Sequence, residues 1–591
     1  MRGRKGLTAA VAVAAAAAVI GAGTVLVNAM DGPTGATPSA PAGEPAPTGR
    51  TGNVPEPADY LVFYEMGRKD EAVKAVEAAG AVPGPDNAAL GYLVVRRAPK
   101  DFPEKVGDSP AIVGVTANSR IGATAQAAKR ARAPRHAPIL DTPATTAATT
   151  TAAKSAPRRP PASAARRVEP EPLAARQWDM RMIGATATGS YAKAPGDKRV
   201  LVGIIDTGVD GNHPDIAPNF DRGLSRNFVI DIPKDPSGET VDGPCEVATC
   251  RDPVDVDDDG HGTHVAGTVA APINGFGMAG VAPQVTLVSL RAGQDSGFFF
   301  LKPAMDALTY AGDNGIDVVN MSFYIDPWLF NCAANPGDSR AEQLEQAGIL
   351  VGMQRALDYA RKRGVTLISA NGNGSTDLGK ITGDDTSPDY PKEAERSRRV
   401  DNSCLSMPTE ANGVIAVSAV GPSGRKAGYS DYGVEQTDVA APGGDTYDSA
   451  SGLPPAARGV LGPAPEGALR AHGKIGADGR PRDDSVLREC RDGTCAYYQY
   501  LEGTSMAAPH ATGVAAILIS RFGAEGKGGF GMSPAEVEDL LYASAARKPC
   551  PTPRAVRYPG DDVQVCEGDK AKNGFYGRGI VDAGEAAVIE P

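Results

Sequence analysis

Residues 503–510 read Gly-Thr-Ser-Met-Ala-Ala-Pro-His, and they are the most informative stretch of this chain of 591 residues. A Gly-Thr turn precedes Ser505, and a run of small residues compatible with a helix follows it. This order predicts a serine hydroxyl at the N-terminus of a helix, where free backbone N–H groups favour developing negative charge. Such a serine is an activated nucleophile when a histidine and a carboxylate can reach it.

Two upstream segments supply these partners. Residues 202–209 read Val-Gly-Ile-Ile-Asp-Thr-Gly-Val, an apolar run that predicts a buried parallel strand with Asp206 at its carboxyl end. Sites in open α/β sheets form at that edge. Residues 259–267 read Asp-Gly-His-Gly-Thr-His-Val-Ala-Gly, so glycines flank His261 and let the backbone pack closely around its imidazole. The order of the three groups along the chain is therefore Asp, His, Ser.

Together, the three segments resemble the motifs of the subtilisin-like serine peptidases, the subtilases. An Asp-Thr-Gly sequence alone is a weak signal, because it also occurs in aspartic peptidases. Three such motifs in this order, each on a glycine-rich turn, are a specific signal. The resemblance implies that Ser505 is the nucleophile, that His261 is the general base and then the general acid, and that Asp206 orients the imidazole.

Acyl transfer also needs donors for the oxyanion of the tetrahedral intermediate. Residues 365–374 run from an apolar strand into a glycine-rich turn, Ala-Asn-Gly-Asn-Gly, which looks like the Ala-Ala-Gly-Asn stretch of the family. In that register Asn373 supplies a side-chain amide, and the backbone N–H of Ser505 supplies the second donor. Asn371 replaces a residue that is usually small, so it is a rival for this role.

The substrate-binding segment is a fainter resemblance. Residues 317–322, Asp-Val-Val-Asn-Met-Ser, look like the family strand that pairs with an extended substrate through main-chain hydrogen bonds. We therefore expect Ser322, Phe323 and Gly372 to contact substrate. The family usually continues with Leu-Gly-Gly, whereas this chain has Phe-Tyr-Ile, so the preferred residue at the cleavage site stays open.

Other polar groups near the motifs have structural alternatives. His264 follows His261 at a spacing that suggests zinc, but the glutamate of the zincin motif is missing, so a packing role is favoured. The acidic loop at residues 252–260 could hold structural calcium, as subtilases often do, or could be a solvated turn. Its ligands stay unassigned. The chemistry itself needs no cofactor.

Composition limits the remaining classes. The formal net charge is −11, which argues against a nucleic-acid partner, and we expect a monomer that acts on polypeptides. Residues 1–29 begin with basic residues, continue as a weakly apolar Ala/Val run and end with a plausible cleavage site, Val-Asn-Ala. This pattern predicts a secretory signal, hence a secreted, extracellular protein that is free of the membrane after cleavage. An uncleaved membrane anchor is the alternative.

The eight cysteines all follow residue 240, and an even number in an exported chain suggests disulfides. The expected pairs are Cys245–Cys250, Cys332–Cys404, Cys490–Cys495 and Cys550–Cys566.

Five regions follow one another along the chain. The signal is followed by a low-complexity segment that we expect to be disordered, then a small α+β element, then a basic Ala/Thr/Pro-rich linker, then alternating strands and helices. Placed before a subtilase domain, the small element looks like the family's inhibitor-type propeptide; a free-standing interaction domain is the alternative. The predicted boundaries are 1–29, 30–57, 58–120, 121–172 and 173–591.

The expected fold class is therefore α/β, a doubly wound, mainly parallel subtilisin-like sheet that follows a small α+β prodomain. The expected function is that of a secreted serine endopeptidase made as a zymogen, its own prodomain being an intramolecular inhibitor. Basic stretches in the linker are expected cleavage sites for maturation. An esterase or acyl transferase that uses the same site is the runner-up, and a degenerate, binding-only homologue is the non-enzyme alternative.

Overall fold

The computed structural model describes two regions of the chain, and its described residues are 58–117, 168–235, 238–391, 394–526 and 529–590. The predicted signal, the low-complexity segment and most of the linker lie outside these residues. The last linker residues are described and join the larger region, because the Glu171 carboxylate accepts the Gly275 N–H at 3.0 Å.

The smaller region is an antiparallel sheet of four strands with two helices. Its elements are β1 (Ala58–Tyr64), α1 (Lys69–Ala78), β2 (Pro83–Asn87), β3 (Tyr92–Ala98), α2 (Phe102–Gly107) and β4 (Ile112–Ala117). The strand order is β2-β3-β1-β4. Strand β2 was not expected, because its sequence Pro-Gly-Pro-Asp-Asn is poor in strand-forming residues.

Side chains of β1 alternate between two hydrophobic layers, as the twofold period of a strand requires. Val62 and Tyr64 face α1 and α2. Leu61 and Phe63 face the larger region and join its core. Both faces of this small sheet are therefore buried, one by its own helices and one by the rest of the protein.

A parallel sheet of seven strands forms the centre of the larger region. The strands are β5 (Leu201–Ile205), β6 (Arg226–Asn227), β7 (Thr286–Arg291), β8 (Val318–Met321), β9 (Thr366–Ala370), β10 (Ile415–Val420) and β11 (Val439–Pro442). Their order across the sheet is β11-β10-β9-β8-β5-β7-β6. The expected α/β class with a parallel sheet is confirmed.

Helices cover both faces of this sheet. The longer ones are α5 (His261–Ala270), α6 (Leu301–Asp313), α7 (Arg340–Arg361), α9 (Thr504–Phe522) and α10 (Pro534–Ser544). The shorter ones are α3 (Trp178–Met182), α4 (Ser190–Lys193), α8 (Glu466–Ala471) and α11 (Ala583–Ala586). Helices α5 and α9 contribute to one apolar layer, and α6 and α7 contribute to the other.

The strand order reverses beside β5. The chain passes from β5 to β6 and β7 on one side, and then crosses to β8 on the other side. Residues that follow β5 and β8 therefore meet at the carboxyl edge of two adjacent strands, which is where ligand sites of open α/β sheets form. Asp206 and Ser322 occupy these two positions.

Residues 443–500, which precede the serine motif, form a small sheet rather than a simple surface loop. They include β12 (Val460–Ala464), β13 (Val486–Arg491) and β14 (Thr494–Leu501), an antiparallel sheet in the order β12-β14-β13. The side chain of Tyr498 on β14 is fully buried, and Pro463 packs against Gly267 of α5. This sheet is therefore part of the support of α5.

The remaining strands form two short hairpins at the surface, β15 (Ala524–Gly526) with β16 (Gly529–Gly531) and β17 (Ala555–Arg557) with β18 (Val563–Val565).

The smaller region docks on α7. Arg355 reaches across the contact and donates from Nη1 to the carbonyls of Tyr64 and Leu90 at 3.0 Å and Gly91 at 3.2 Å. Gly348 meets Gly114 of β4 so closely that a β-carbon on Gly114 would lie 2.4 Å from the Gly348 backbone. The backbones of β4 and α7 are therefore in direct contact at these two glycines.

All eight cysteines are paired, as Cys245–Cys250, Cys332–Cys404, Cys490–Cys495 and Cys550–Cys566, which agrees with the expected pairs.

Among the described residues, no helix combines the length and the apolar character that crossing a bilayer would take.

Candidate active site

Asp206 follows the last residue of β5 and is fully buried. Its Oδ1 accepts the Thr207 N–H at 2.8 Å and lies 2.7 Å from Nδ1 of His261. A carboxylate oxygen can only accept here, so Nδ1 carries the proton and Nε2 is free to act as a base. Gly262 makes the approach possible, because a β-carbon there would lie 2.1 Å from the Gly208 carbonyl oxygen.

His261 is the first residue of α5, and about a quarter of its side chain is exposed. Its backbone N–H donates to Oδ1 of Asp259 at 3.0 Å. Burial opposes a charge on the imidazole, but the carboxylates of Asp206, Asp259 and Asp257 outweigh burial and raise the pKa of His261 to about 9. The neutral base therefore predominates only in alkaline solution.

Ser505 lies in the first turn of α9 and is half-buried. Its hydroxyl donates to the Ser322 carbonyl at 3.3 Å, and the Ser322 hydroxyl donates to the Ser505 carbonyl at 3.0 Å. Within the described part of the chain, no hydrogen bond joins this hydroxyl to His261. The hydroxyl is instead engaged with the Ser322 carbonyl.

The two asparagines of the glycine-rich turn have different environments. Asn371 is buried, and its Nδ2 donates to the Thr437 hydroxyl at 2.9 Å and to the Asp431 carbonyl at 3.4 Å. Asn373 is exposed, and its Oδ1 accepts both the N–H and the hydroxyl of Thr504 at 2.9 Å. The oxygen of Asn373 is thus held by the residue before Ser505, which leaves its Nδ2 as the end that faces outward.

The backbone nitrogen of Ser505 and Nδ2 of Asn373 lie near one point. Each is 3.6 Å from the position that a β-carbon on Gly503 would occupy. Two N–H donors next to the nucleophile are the arrangement that a developing oxyanion requires.

The three residues expected to contact substrate differ in their contacts. Ser322 contacts Ser505, as described above. Phe323 stacks on Phe299, with ring centroids 4.3 Å apart and planes 4° from parallel. Gly372 has a φ of +118°, and its N–H donates to the Thr504 hydroxyl at 3.1 Å. Ser322 and Gly372 therefore contact residues 505 and 504, whereas the contact of Phe323 is with Phe299.

Tyr324 follows Phe323 and is tied to another part of the chain. Its hydroxyl donates to Oδ2 of Asp389 at 2.5 Å. Asp389 shares a buried region with Asp326, and the burial of Asp326 next to Asp389 raises its pKa well above the ordinary value. No motif indicates the pair Asp326 and Asp389, because the two aspartates are far apart along the chain.

The other histidines near the site are structural. His264 is buried, and its Nε2 lies 3.0 Å from the Val460 carbonyl and 3.2 Å from the Gln499 carbonyl. His510 lies 3.2 Å from Oδ2 of Asp179 and 2.8 Å from the Met506 carbonyl. The packing role expected for His264 fits these contacts, and the part of the chain that the structure describes has no histidine in a group able to hold a metal.

The acidic loop at residues 252–260 divides into two parts. Asp257 accepts the N–H of Gly260 at 2.9 Å and both the N–H and the hydroxyl of Thr263, so it shapes the start of α5. Asp252 instead joins three acids from other segments. Ligand oxygens of this acidic cluster lie within 4.8 Å of one another, and its members are Asp231, Glu246, Asp252 and Asp295.

Known proteins resemble this chain over the same region. A model of the subtilase family matches residues 197–579. The thermophilic serine proteinase of Bacillus sp. (strain AK1) is 27% identical over 321 residues, which is 54% of this chain, and the chain spans about half (52%) of that relative's length. Subtilisin DY of Bacillus licheniformis is 28% identical over 323 residues, which is 55% of this chain and 77% of the relative.

A solved structure has the same fold. It is that of the epidermin leader peptide processing serine protease of Staphylococcus aureus, with a TM-score of 0.54 and 20% identity. The alignment covers 90% of this chain and 98% of the other.

Proposed function

Because this chain belongs to the subtilase family, a family of serine peptidases, we propose that it is an endopeptidase that hydrolyses peptide bonds of polypeptides through an acyl-enzyme. The observation that carries the proposal is the 2.7 Å hydrogen bond between Asp206 and His261 at the carboxyl end of β5. Ser505 binds Ser322 at the end of the adjacent strand, so the base and the nucleophile flank neighbouring strand ends.

The proposed reaction has two halves, formation and hydrolysis of the acyl-enzyme. Ser505 Oγ attacks the scissile carbonyl carbon while His261 Nε2 takes its proton, and the carbonyl electron pair moves to oxygen. The tetrahedral intermediate collapses, the C–N bond breaks, and His261 gives the proton to the leaving amine. Water repeats the sequence on the acyl-enzyme and restores the Ser505 hydroxyl. Asp206 keeps the proton on Nδ1 and stabilises the imidazolium in both halves.

Asn373 and the Ser505 N–H stabilise the oxyanion. Thr504 fixes the amide plane of Asn373 with two donated hydrogen bonds, so Nδ2 is oriented before the substrate arrives. The N-terminus of α9 adds the positive end of a helix dipole at the same point. Both contributions act in the transition state, where charge develops.

A fluorophosphonate probe tests this assignment. We expect labelling at Ser505 in the wild-type chain, no labelling in Ser505→Ala, and unchanged labelling in Ser449→Ala, which removes an exposed hydroxyl elsewhere. A protein that folds but is never labelled would be the binding-only homologue. Turnover of a peptide amide and its matched ester then separates a peptidase from an esterase, since an esterase would leave the amide intact.

Residues 58–117 act as an inhibitory prodomain in this proposal. Two observations support this role. The region docks on α7, and the last residues of β4, Thr116 and Ala117, line a cavity together with Phe300 and Asp326. That places the end of β4 beside the segment that follows Ser322. Secretion and maturation in the basic linker belong to the same proposal, and N-terminal sequencing of the secreted mature protein tests both.

The acidic cluster is suited to a structural calcium ion. Three of its four carboxylates, those of Asp231, Asp252 and Asp295, share one buried guanidinium, that of Arg291, which lies 2.7 Å from Oδ2 of Asp252. Oδ2 of Asp231 and Oδ2 of Asp295 are buried and have no hydrogen-bond partner among the described residues. Carboxylate oxygens are the ligands that calcium prefers, and a bound ion would offset the excess negative charge. The catalytic steps do not involve this site.

A further inference from the structure

Asp431 lies directly behind the turn that carries Asn373. Its side chain is buried, and its Oδ1 accepts the Thr376 N–H at 2.7 Å. The Gly374 N–H also donates to this carboxylate. The backbone N–H of Asp431 donates to the Gly372 carbonyl at 2.9 Å. Asp431 therefore forms hydrogen bonds with three residues of the turn, Gly372, Gly374 and Thr376.

The glycines of the turn leave room for this carboxylate. A β-carbon on Gly372 would lie 2.2 Å from Oδ2 of Asp431, and one on Gly374 would lie 3.2 Å from Oδ1. The carboxylate thus occupies the space that a side chain at residue 372 would take. A shift of Asp431 consequently changes the position of the turn.

The turn is tied to the nucleophile on its other side. The Gly372 N–H donates to the Thr504 hydroxyl at 3.1 Å, and that hydroxyl donates to Oδ1 of Asn373 at 2.9 Å. Thr504 precedes Ser505 on α9. A continuous set of hydrogen bonds therefore runs from Asp431 through the turn to the residue beside the nucleophile.

A buried negative charge behind an oxyanion site would oppose the oxyanion unless another charge offset it. The buried cation nearby is Lys426, whose side-chain nitrogen donates to the Ala427 carbonyl at 2.8 Å and the Ser430 carbonyl at 2.5 Å. Burial lowers the pKa of Lys426 to about 7, so it offsets the Asp431 charge only below that pH. Burial raises the pKa of Asp431 to about 7, and the Thr376 hydrogen bond and the Lys426 charge oppose this rise. In the alkaline range where His261 is neutral, Asp431 is ionised, and its hydrogen bonds to backbone N–H groups hold the turn.

We infer that Asp431 is a positioning residue for the oxyanion donor, which holds the turn so that Nδ2 of Asn373 points at the reacting carbonyl. The inference rests on the proposed function. Asp431 acts through Asn373 and does not touch the substrate. It is therefore expected to affect the chemical step rather than substrate binding.

The test replaces Asp431 by Asn, which keeps the shape but turns an acceptor oxygen into an NH₂ group that faces backbone N–H donors. Asp377→Asn is the matched control, because the Asp377 carboxylate accepts from Gly379, beyond the turn. We expect Asp431→Asn to lower kcat about tenfold, in line with the cost of a small misplacement, while KM stays unchanged. Asp377→Asn is expected to leave both constants unchanged.

Rates are counted per Ser505 that a fluorophosphonate labels, so unfolded protein does not contribute. If Asp431→Asn does not fold, Gly374→Ala serves as the second variant, because its β-carbon would lie 3.1 Å from the Thr376 hydroxyl oxygen and 3.2 Å from Oδ1 of Asp431 and is expected to lower kcat in the same way. Either variant overturns the inference if its kcat equals that of the wild-type chain.

A double-mutant cycle with Asn373→Ala separates positioning from general damage to the fold. We expect the effect of Asp431→Asn on kcat to disappear once Asn373 is Ala. A tenfold loss that persists in the Asn373→Ala background would show that Asp431 acts by another route and would overturn the inference. An unlabelled, inactive wild-type chain would instead refute the proposed function itself.

Discussion

Thr504 donates both its backbone N–H and its hydroxyl to the side-chain oxygen of Asn373, each at 2.9 Å. These two hydrogen bonds join the turn after β9 to the first turn of α9. They fix which end of the Asn373 amide is available, because the oxygen is already in use. The proposed oxyanion donor is therefore linked by two hydrogen bonds to the residue that precedes the proposed nucleophile.

Replacing Asn373 by Ala tests which asparagine of the turn serves the oxyanion. Removal of one such donor typically lowers kcat by about 10²–10³, so Asn373→Ala should do so with little change in KM. Asn371→Ala should mainly lower the melting temperature, because it removes a buried amide that binds Thr437. Steady-state kinetics and thermal melting of both variants check this; a larger kcat loss in Asn371→Ala would reverse the assignment.

The pKa of His261 predicts an alkaline peptidase. The neutral imidazole is the active form, so kcat/KM should rise with pH through the His261 pKa of about 9. Asp259 contributes to that raised pKa through its charge, so Asp259→Asn should move the midpoint of the rise to lower pH. The exposed residue Asp401 provides the control, and Asp401→Asn should leave the midpoint unchanged. Equal pH profiles for Asp259→Asn and the wild-type chain would contradict the electrostatic argument.

Loss of the Arg355 side chain should loosen the smaller region. Its Nη1 atom binds three carbonyls of residues 58–117, so Arg355→Ala is expected to weaken the docking about tenfold, as the loss of about 1.4 kcal/mol would. The measurement is the rate at which secreted full-length protein becomes active on a peptide. Arg361→Ala is the control on the same helix, because Arg361 binds Gly413 and Glu538 instead. If both variants activate at the wild-type rate, Arg355 does not restrain activation.

Chelation tests the calcium proposal. Removing an ion present at 100 times its dissociation constant costs about 2.7 kcal/mol, so the chelated protein should melt several degrees lower. Asp231→Asn should show the low melting temperature with or without calcium, while Asp385→Asn, a change at an exposed acid, should behave like the wild-type chain. A melting temperature of the wild-type chain that does not respond to calcium would rule out the site.

The disulfides should differ in their effect on stability. Cys332–Cys404 closes a sequence separation of 72 residues, whereas Cys490–Cys495 closes one of 5. The loop-entropy relation then makes the first bond worth about 2 kcal/mol more than the second. Melting or denaturant unfolding of the two Cys-to-Ser double variants checks the order, and equal losses would contradict the entropic account.

The sequence predicts most of the central sheet, because each of its longer strands is an apolar run next to a glycine-rich turn. Strands were expected before Asp206, within residues 317–322 and at the start of residues 365–374, and β5, β8 and β9 lie in those places. Strand β2 was missed, because tertiary pairing with β3 imposes an extended conformation on a Pro/Gly sequence. The sheet formed by β12, β13 and β14 was not predicted, because its strands pair through contacts in a segment that carries no motif.

For the candidate site, local motifs indicated Asp206, His261, Ser505 and Asn373 but not the residues that support them. Asp431 is far from the turn in sequence, and its role depends on a close approach that two glycines permit. Asp389 likewise meets Tyr324 only through the tertiary fold. Such contacts leave no periodic pattern, so a single sequence does not reveal them.

The sheet of β12–β14 also has a practical meaning for protein engineering. His264, three residues after the proposed base, leans on carbonyls of β12 and β14. A shortened variant that lacks residues 443–500 would lose the sheet that packs against α5. The buried imidazole of His264 would then lose its two carbonyl partners. In this chain residues 443–500 are part of the scaffold, and redesign should begin on the outward-facing hairpin around Cys490–Cys495.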